Sequence, residues 1–305
     1  MADPQFRNAY ILTGPTGSGK SEFALILAEQ LGAEIIAMDS MTLYRGMDIG
    51  TAKPTPAERQ RVPHHLIDVL DPWESANVAW WLEHAADSCR DIERRGRRAL
   101  FVGGTPLYLK ALLDGLFDGP PADPELRARL EALGGQELHQ RLSAVDPATA
   151  ARLHPNDLRR LVRALEVWEL TGRPISDWQQ QWQTEAPSRP RCWRIDRPRA
   201  ELYDRINARV ERMIAAGWLD EARQLRQLPR PLSREAGQAL GYAELFAHLD
   251  GKATLPETIE RIQTRSRQFA KRQLTWFRQL PQCQPLAVTG TGWPDLRSLA
   301  DLAGI

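Results

Sequence analysis

Residues 14–21 read GPTGSGKS and lie between the apolar run AYIL (9–12) and the apolar-periodic stretch EFALILAEQL. A short strand feeding a glycine loop into a helix fits few architectures. The strand needs parallel neighbours, and the helix must pack back across their face. Gly14, Gly19, Lys20 and Ser21 fill every fixed position of G-x-x-x-x-G-K-[ST], with Pro15, Thr16, Gly17 and Ser18 between them. The glycines let successive backbone N–H groups turn inward on phosphate oxygens, Lys20 adds a point charge, and the Ser21 hydroxyl suits Mg²⁺. A plain βα turn with spare glycines leaves the lysine unexplained.

Further short apolar runs follow, EIIAM, HLIDVL and ALFV, separated by helical patterns that include a long one over 77–95. This alternation predicts an α/β fold: a P-loop NTPase-like core with a parallel sheet flanked by helices. Prolines then interrupt it in DGPPADPE (118–125) and TEAPSRPRCW (184–193). Between these hinges no strand candidate occurs, only helical spacing in LRARLEAL, QELHQRLSAV, PATAARLH and NDLRRLVRALEVWELTG. The expected organisation is a core of residues 1–120 and 187–305 with an all-helical insertion at 121–186. Helices are expected over 200–216, 219–228, 242–249 and 256–280, then a strand in QPLAVT and a short C-terminal helix.

Net charge is +1, from 40 basic and 39 acidic residues, so any basic footprint for nucleic acid must be local. Cys89, Cys192 and Cys283 are too scattered for a zinc site or a disulfide framework, and three reduced thiols are expected. No run approaches the roughly 18 apolar residues of a membrane span, and MADPQFRN, with acid and proline before an apolar run of four, is not expected to direct export. A cytoplasmic monomer without membrane contact is the expectation.

An NTPase of this class keeps an acid at the end of a second strand to hold the metal. Here ALFVGGT ends in Gly-Gly-Thr, whereas EIIAMDS ends in Asp39. Asp39 is open to three roles: metal ligand, general base, or helix cap. Thr105 is equally open between capping the helix that follows and facing a ligand at the strand edge.

Taken together, GPTGSGKS, MDSMTLYRGMDIGTAKP, FVGGTPLYLKALLDGL, HPNDLRRLVRALEVWELTG, GYAEL and RQFAKRQLTWFR resemble the tRNA dimethylallyltransferase family, in order, from about residue 9 to 280. The resemblance implies transfer of a dimethylallyl group from dimethylallyl diphosphate to the exocyclic amine of adenosine 37, in tRNAs reading codons that begin with U. Diphosphate leaves and Mg²⁺ assists. It implies that residues 14–21 grip the diphosphate, with Thr16, Lys20 and Ser21 on its oxygens and on the metal. Asp39 matches the general base, Thr105 the group on the bridging oxygen, and Arg209 an arginine on the diphosphate charge. It further implies tRNA contacts at Asp39, Ser40, Met41, Thr42 and Thr105, at Arg127, and at Arg159, Arg160, Leu161, Val162 and Arg163. Others fall at Gln238, Gly241 and Tyr242, and at Lys271, Arg272, Gln273, Trp276 and Arg278, with the insertion clasping the anticodon stem. Thr42 stands where many members have glutamine.

Residues 261–278 carry six basic side chains and no acid, with Phe269, Trp276 and Phe277 interleaved. Phosphate contact with base stacking and a plain amphipathic helix both fit that pattern. Arg205, Arg209 and Arg212 share one helical face and could pair with Asp204 and Glu211. Trp80, Trp81, Trp168, Trp178 and Trp182 lie on helical patterns and read as packing, and the His64-His65 pair reads as structural. Rival readings are prenylation of AMP, ADP or ATP, a small-molecule kinase, and an RNA-binding module with a vestigial loop. The helical insertion and basic run speak against the first, and the intact Lys20, Ser21, Asp39 and Thr105 against the last.

Overall fold

Strand β1 (Tyr10–Thr13), buried at all four residues, lies inside a six-stranded sheet in the computed structural model, which describes residues 6–117, 119–178 and 191–293. Next along the chain come α1 (Lys20–Leu31), β2 (Ala33–Ala37), α2 (Pro56–Arg61), β3 (His64–His65), α3 (Val78–Arg94), β4 (Arg98–Gly103) and α4 (Pro106–Asp114). Then follow α5 (Pro124–Glu131), α6 (Gly135–Val145), α7 (Pro147–Ala150), α8 (Leu158–Thr171) and α9 (Ile175–Trp178). Last are β5 (Arg191–Asp196), α10 (Arg199–Ala215), α11 (Trp218–Arg226), α12 (Tyr242–Leu249), α13 (Leu255–Phe277) and β6 (Cys283–Ala287). The strand order is β3-β2-β4-β1-β5-β6, and every pairing is parallel.

Alternation along each strand divides the core in two. Tyr10, Leu12, Ile35, Leu100, Trp193 and Ile195 face the buried side of α1, with Phe23, Leu27 and Ala28. Ile11, Ile36, Phe101 and Cys192 pack in the second layer with Trp81 of α3 and Tyr108 of α4, whose rings stack at 4.3 Å. Trp81 also donates its indole N–H to Ala37 O at 3.0 Å, so the packing role read for it is met with its polar atom satisfied.

The sheet corrects several sequence expectations. HLIDVL keeps strand geometry only at His64–His65, because Leu66 and Asp68 turn to φ 58° and 57°. Asp68 there accepts from Lys53 and Arg59. His64 and His65 are structural as read: His65 Nε2 lies 2.7 Å from the Glu34 carboxylate. The stretch RCW, read as part of a hinge, begins β5, which sits directly against β1. The expectation of three reduced thiols is also overturned. Register places Cys192 opposite Cys283 on adjoining strands, Cα atoms 4.6 Å apart, and the two are disulfide-bonded, while Cys89 takes no part. Ninety-one residues separate that pair, and no sequence spacing reveals a parallel register. Trp182 and the expected C-terminal helix lie outside the described residues.

The chain divides into two compact units, Asp114–Pro187 and the remainder. Within the first, every described element is helical, and Leu126, Leu130, Leu138, Leu142, Leu161 and Leu165 form its core. Glu166 is fully buried beside that core. It accepts from Arg127 at 2.8 and 2.9 Å, from Arg163, and from the Asp123 N–H at 2.8 Å. Burial pushes the Glu166 carboxyl up, but these hydrogen bonds outweigh it and hold the group below the usual carboxylate range.

The bonded carboxylate therefore stabilises the folded state above the unfolded glutamate value, about 4.3, and that stabilisation is lost as pH falls through the lower folded value. Denaturant titrations of the wild type are expected to show the helical unit weakening on acidification. Glu166→Gln should be less stable at pH 7 by about 2 kcal/mol and should lose that part of the acid dependence. An unchanged acid profile in the variant would refute the assignment.

Candidate active site

Parallel topology sends the ends of β1, β2 and β4 to one edge, where ligands of open α/β sheets bind. Behind β1 the loop turns through Gly17 and Gly19 at φ 80° and 91°, and Gly19 precedes the first turn of α1. The loop is held from outside by the C-terminal half of the chain. Arg205 donates to Gly17 O at 3.0 Å, Arg197 to Ser18 O at 3.3 Å, and the Gln273 side chain accepts the Thr16 N–H at 2.9 Å. Arg205 therefore serves the loop instead of pairing with Asp204.

The Gly-Gly-Thr that replaces a strand-end acid has a steric cause. A Cβ on Gly103 would lie 1.9 Å from Met38 O, so only glycine lets the ends of β2 and β4 meet. Met38 N then donates to Val102 O at 2.8 Å, and Ser40 N to the Thr105 hydroxyl at 3.2 Å. Asp39 is not a helix cap: the next helix starts at Pro56, capped by Thr55. Its Oδ1 accepts the Met41 N–H at 2.9 Å, and its carbonyl accepts the Thr42 hydroxyl at 3.2 Å. The side chain is thereby fixed at the strand edge.

Lys20, Ser21, Thr16, Asp39 and Arg209 line one cavity, with Ala24, Leu25 and Ile35 as an apolar wall. Thr16, Asp39, Arg209 and Gln273 also line a second cavity of about 340 Å³, which adds Thr105, Ser40 and Met41 and an apolar side of Ile206, Val210 and Met213. A third hollow runs past Gly17 and Gly19 to Arg205, Arg209 and Arg212. Burial and, after it, the Arg209 charge bring the Lys20 ammonium down to about 8, with Asp39 opposing. Burial likewise lowers Arg209, with Asp39 opposing and Arg212 reinforcing. Two cations pressed together out of water favour an anion between them. Among the described residues no cluster of three His, Cys, Asp or Glu could hold a metal by itself. One serine hydroxyl beside an anion site suits Mg²⁺, which keeps water and phosphate as most of its ligands.

A family model described as IPP transferase matches residues 42–280, and one described as isopentenyl transferase matches residues 7–68. A tRNA dimethylallyltransferase of Geobacter metallireducens is 48% identical over 284 residues, 92% of either chain. One from Pelotomaculum thermopropionicum is 41% identical over 97% of this chain and 93% of its own. The chain belongs to the tRNA dimethylallyltransferase family. Among solved structures, the tRNA isopentenylpyrophosphate transferase of Bacillus halodurans matches with TM-score 0.71 at 39% identity, covering 98% of this chain and 95% of that one. A eukaryotic dimethylallyltransferase acting on tRNA matches with TM-score 0.82 at 28% identity, covering 96% and 77%.

For a tRNA dimethylallyltransferase, the stretches singled out as tRNA contacts divide into those facing outward and those turned inward. Arg159, Arg160, Gln238, Lys271, Arg272 and Arg278 are exposed. Leu161 and Val162 are core residues of the helical unit, and Arg127 and Arg163 are engaged on Glu166. Thr42 is buried, Trp276 packs against the main core, and Gly241 lies beneath Trp218. Tyr242 is fully buried with its hydroxyl on Glu221 at 2.7 Å, and Gln273 is turned to the phosphate loop. Leu161, Val162, Gly241, Tyr242 and Gln273, given as tRNA contacts by the resemblance, are thus turned inward, whereas their neighbours in the same strings face out. A helix repeats about every 3.6 residues, so a contiguous string on it spreads over more than one face.

Glu221 was missed by the sequence reading. Its carboxylate accepts the successive N–H groups of Asp48, Ile49 and Gly50 at 2.7, 2.8 and 3.0 Å, anchoring the loop whose Gly50 and Thr51 wall the second cavity. The available signal was an acid on the apolar stripe Trp218, Glu221, Ala222 and Leu225. Tyr242→Phe is expected to cost about 1 kcal/mol in chemical denaturation and to leave the Kd for tRNA within about twofold. A large loss of tRNA affinity without loss of stability would mark Tyr242 as a direct contact.

Proposed function

We propose that this chain moves the dimethylallyl group of dimethylallyl diphosphate to the N6 amine of adenosine 37 in tRNAs that read codons beginning with U. The reading rests on one observation. A single strand-end carboxylate, Asp39, shares its cavities with Lys20, Arg209 and the Thr105 hydroxyl, where an NTPase would keep a metal-binding acid. That set suits departure of a diphosphate beside deprotonation of an amine.

The adenine amine attacks the allylic carbon, the carbon–oxygen bond breaks, and its electron pair leaves on diphosphate. Asp39 takes the amine proton; its Oδ1 is held by Met41 N–H, which leaves Oδ2 for the substrate. The Thr105 oxygen accepts from Ser40 N, so its own hydrogen is directed elsewhere and can be donated to the bridging oxygen. Lys20 and Arg209, both buried, neutralise the charge that grows on the leaving group. Ser21 would hold Mg²⁺, which supplies further charge neutralisation on the diphosphate. The target base must leave its stack to reach this depth.

Exposed Arg159 and Arg160 support a phosphate contact by the helical unit, proposed to clasp the anticodon stem. The proposed enzyme is a monomer that acts in the cytoplasm, where tRNA is found. No described helix is long and apolar enough to cross a membrane.

Incubation with labelled dimethylallyl diphosphate and unmodified tRNA, AMP or ATP is expected to label tRNA alone; label in a free nucleotide, or phosphate transfer from ATP, would sink the proposal. Asp39→Ala should cut kcat by about a hundredfold or more while tRNA still binds. Arg159→Ala should weaken tRNA binding and lower the slope of log K against log salt by about one. A salt slope equal to that of the wild type would remove Arg159 from the interface.

A further inference from the structure

Gln273 lies on the basic helix α13, yet its side chain is 3% exposed. Its amide is used at both ends. Oε1 accepts the N–H of Thr16 at 2.9 Å, and Nε2 donates to the carbonyl of Gly104 at 2.7 Å. These two partners follow the ends of adjacent parallel strands, β1 and β4. Each is one residue away from a group the chemistry needs: Gly17 opens the rest of the phosphate loop, and Thr105 carries the hydroxyl. Gly104 itself is fitted to the amide, since a Cβ there would lie 2.7 Å from Gln273 Nε2 and 3.1 Å from Gly14 O.

We propose that Gln273 is a positioning residue that sets the spacing between the phosphate loop and Thr105, so that a diphosphate gripped by the loop lies within reach of the hydroxyl. The proposal rests on the reaction proposed above. Only a primary amide of this length offers an acceptor and a donor from one planar group, matching one N–H and one C=O. Glutamate lacks the donor and places a negative charge beside the diphosphate. Methionine fills the space but leaves both backbone groups unsatisfied in a buried place. Gln273 lines both cavities, but its amide oxygen and nitrogen are each engaged on backbone, so the effect proposed for it passes through the two backbones it joins.

Gln273→Met and Gln273→Glu are compared with the wild type for the Kd of inorganic diphosphate with Mg²⁺, the Kd of unmodified tRNA, and kcat and KM. Gln273→Met is expected to lower kcat by about 30-fold or more and to weaken diphosphate about tenfold, with tRNA binding within about twofold. Gln273→Glu should weaken diphosphate further, because its charge repels the ligand. If Gln273→Met fails to fold, Gln273→Glu, which keeps the bond to Thr16, decides on the same readouts. Unchanged diphosphate affinity and kcat would overturn the proposal. So would a tenfold loss in tRNA affinity with diphosphate binding intact, which would mark a direct contact. Diphosphate binding needs no turnover: a wild type that binds it yet never modifies tRNA would overturn the reaction and leave the Gln273 comparison readable.

Discussion

The close approach of β2 and β4 at their carboxyl ends is the constraint on which the rest of the site depends. Gly103 lies against Met38 O at a separation that no side chain permits. With the two strands locked there, the backbone after β2 presents Asp39 while the backbone after β4 presents Thr105, and Ser40 N–H bonds the Thr105 hydroxyl between them. Thr13 adds a side-chain bond to Gly103 O at 2.9 Å, so β1 and its phosphate loop end in the same frame. Three strand ends thus deliver a cation, a carboxylate and a hydroxyl to one place without any of them being adjacent in sequence.

That frame also explains why the site tolerates buried charge. Lys20 and Arg209 are each destabilised as cations by burial and by like charge, with Asp39 as the opposing group. Such an arrangement is unfavourable to folding and favourable to binding, since an anion that fills it relieves both cations. The backbone around it is correspondingly well held. Arg197, Arg205 and Gln273 grip the phosphate loop from outside, and Glu221 binds three successive N–H groups of the loop 48–50. In the helical unit the fully buried charge, Glu166, is matched at once by two arginines and a backbone N–H. A binding site is left open to an anion, whereas a structural ion cluster is closed.

Most of the fold was legible because its elements carry strong local signals. The P-loop, the helix expected over 77–95 and the helix expected over 242–249 all stand within a residue of where motif and pattern put them. The losses share a physical origin. β5 was hidden because two prolines precede a run of mixed polarity, and only its neighbours β1 and β6 make RCWRID a central strand. HLIDVL looked continuous, but Lys53 draws Asp68 into a left-handed turn. The Cys192–Cys283 bond depends on a register across two strands 91 residues apart.

By itself the sequence determined what chemistry the chain can carry: a phosphate-gripping loop, one strand-end acid in place of the usual second one, and a basic amphipathic helix near the end. Those properties reside in residue types at short spacings, where backbone geometry is nearly fixed by local rules. Tertiary structure alone decided which members of each motif face outward. It sent Lys271 and Arg272 to the surface and Gln273 to the phosphate loop from one turn of one helix. It also set the Tyr242 hydroxyl on the buried Glu221 carboxylate. Orientation follows from what packs against each face, and the partners that do the packing are far away along the chain.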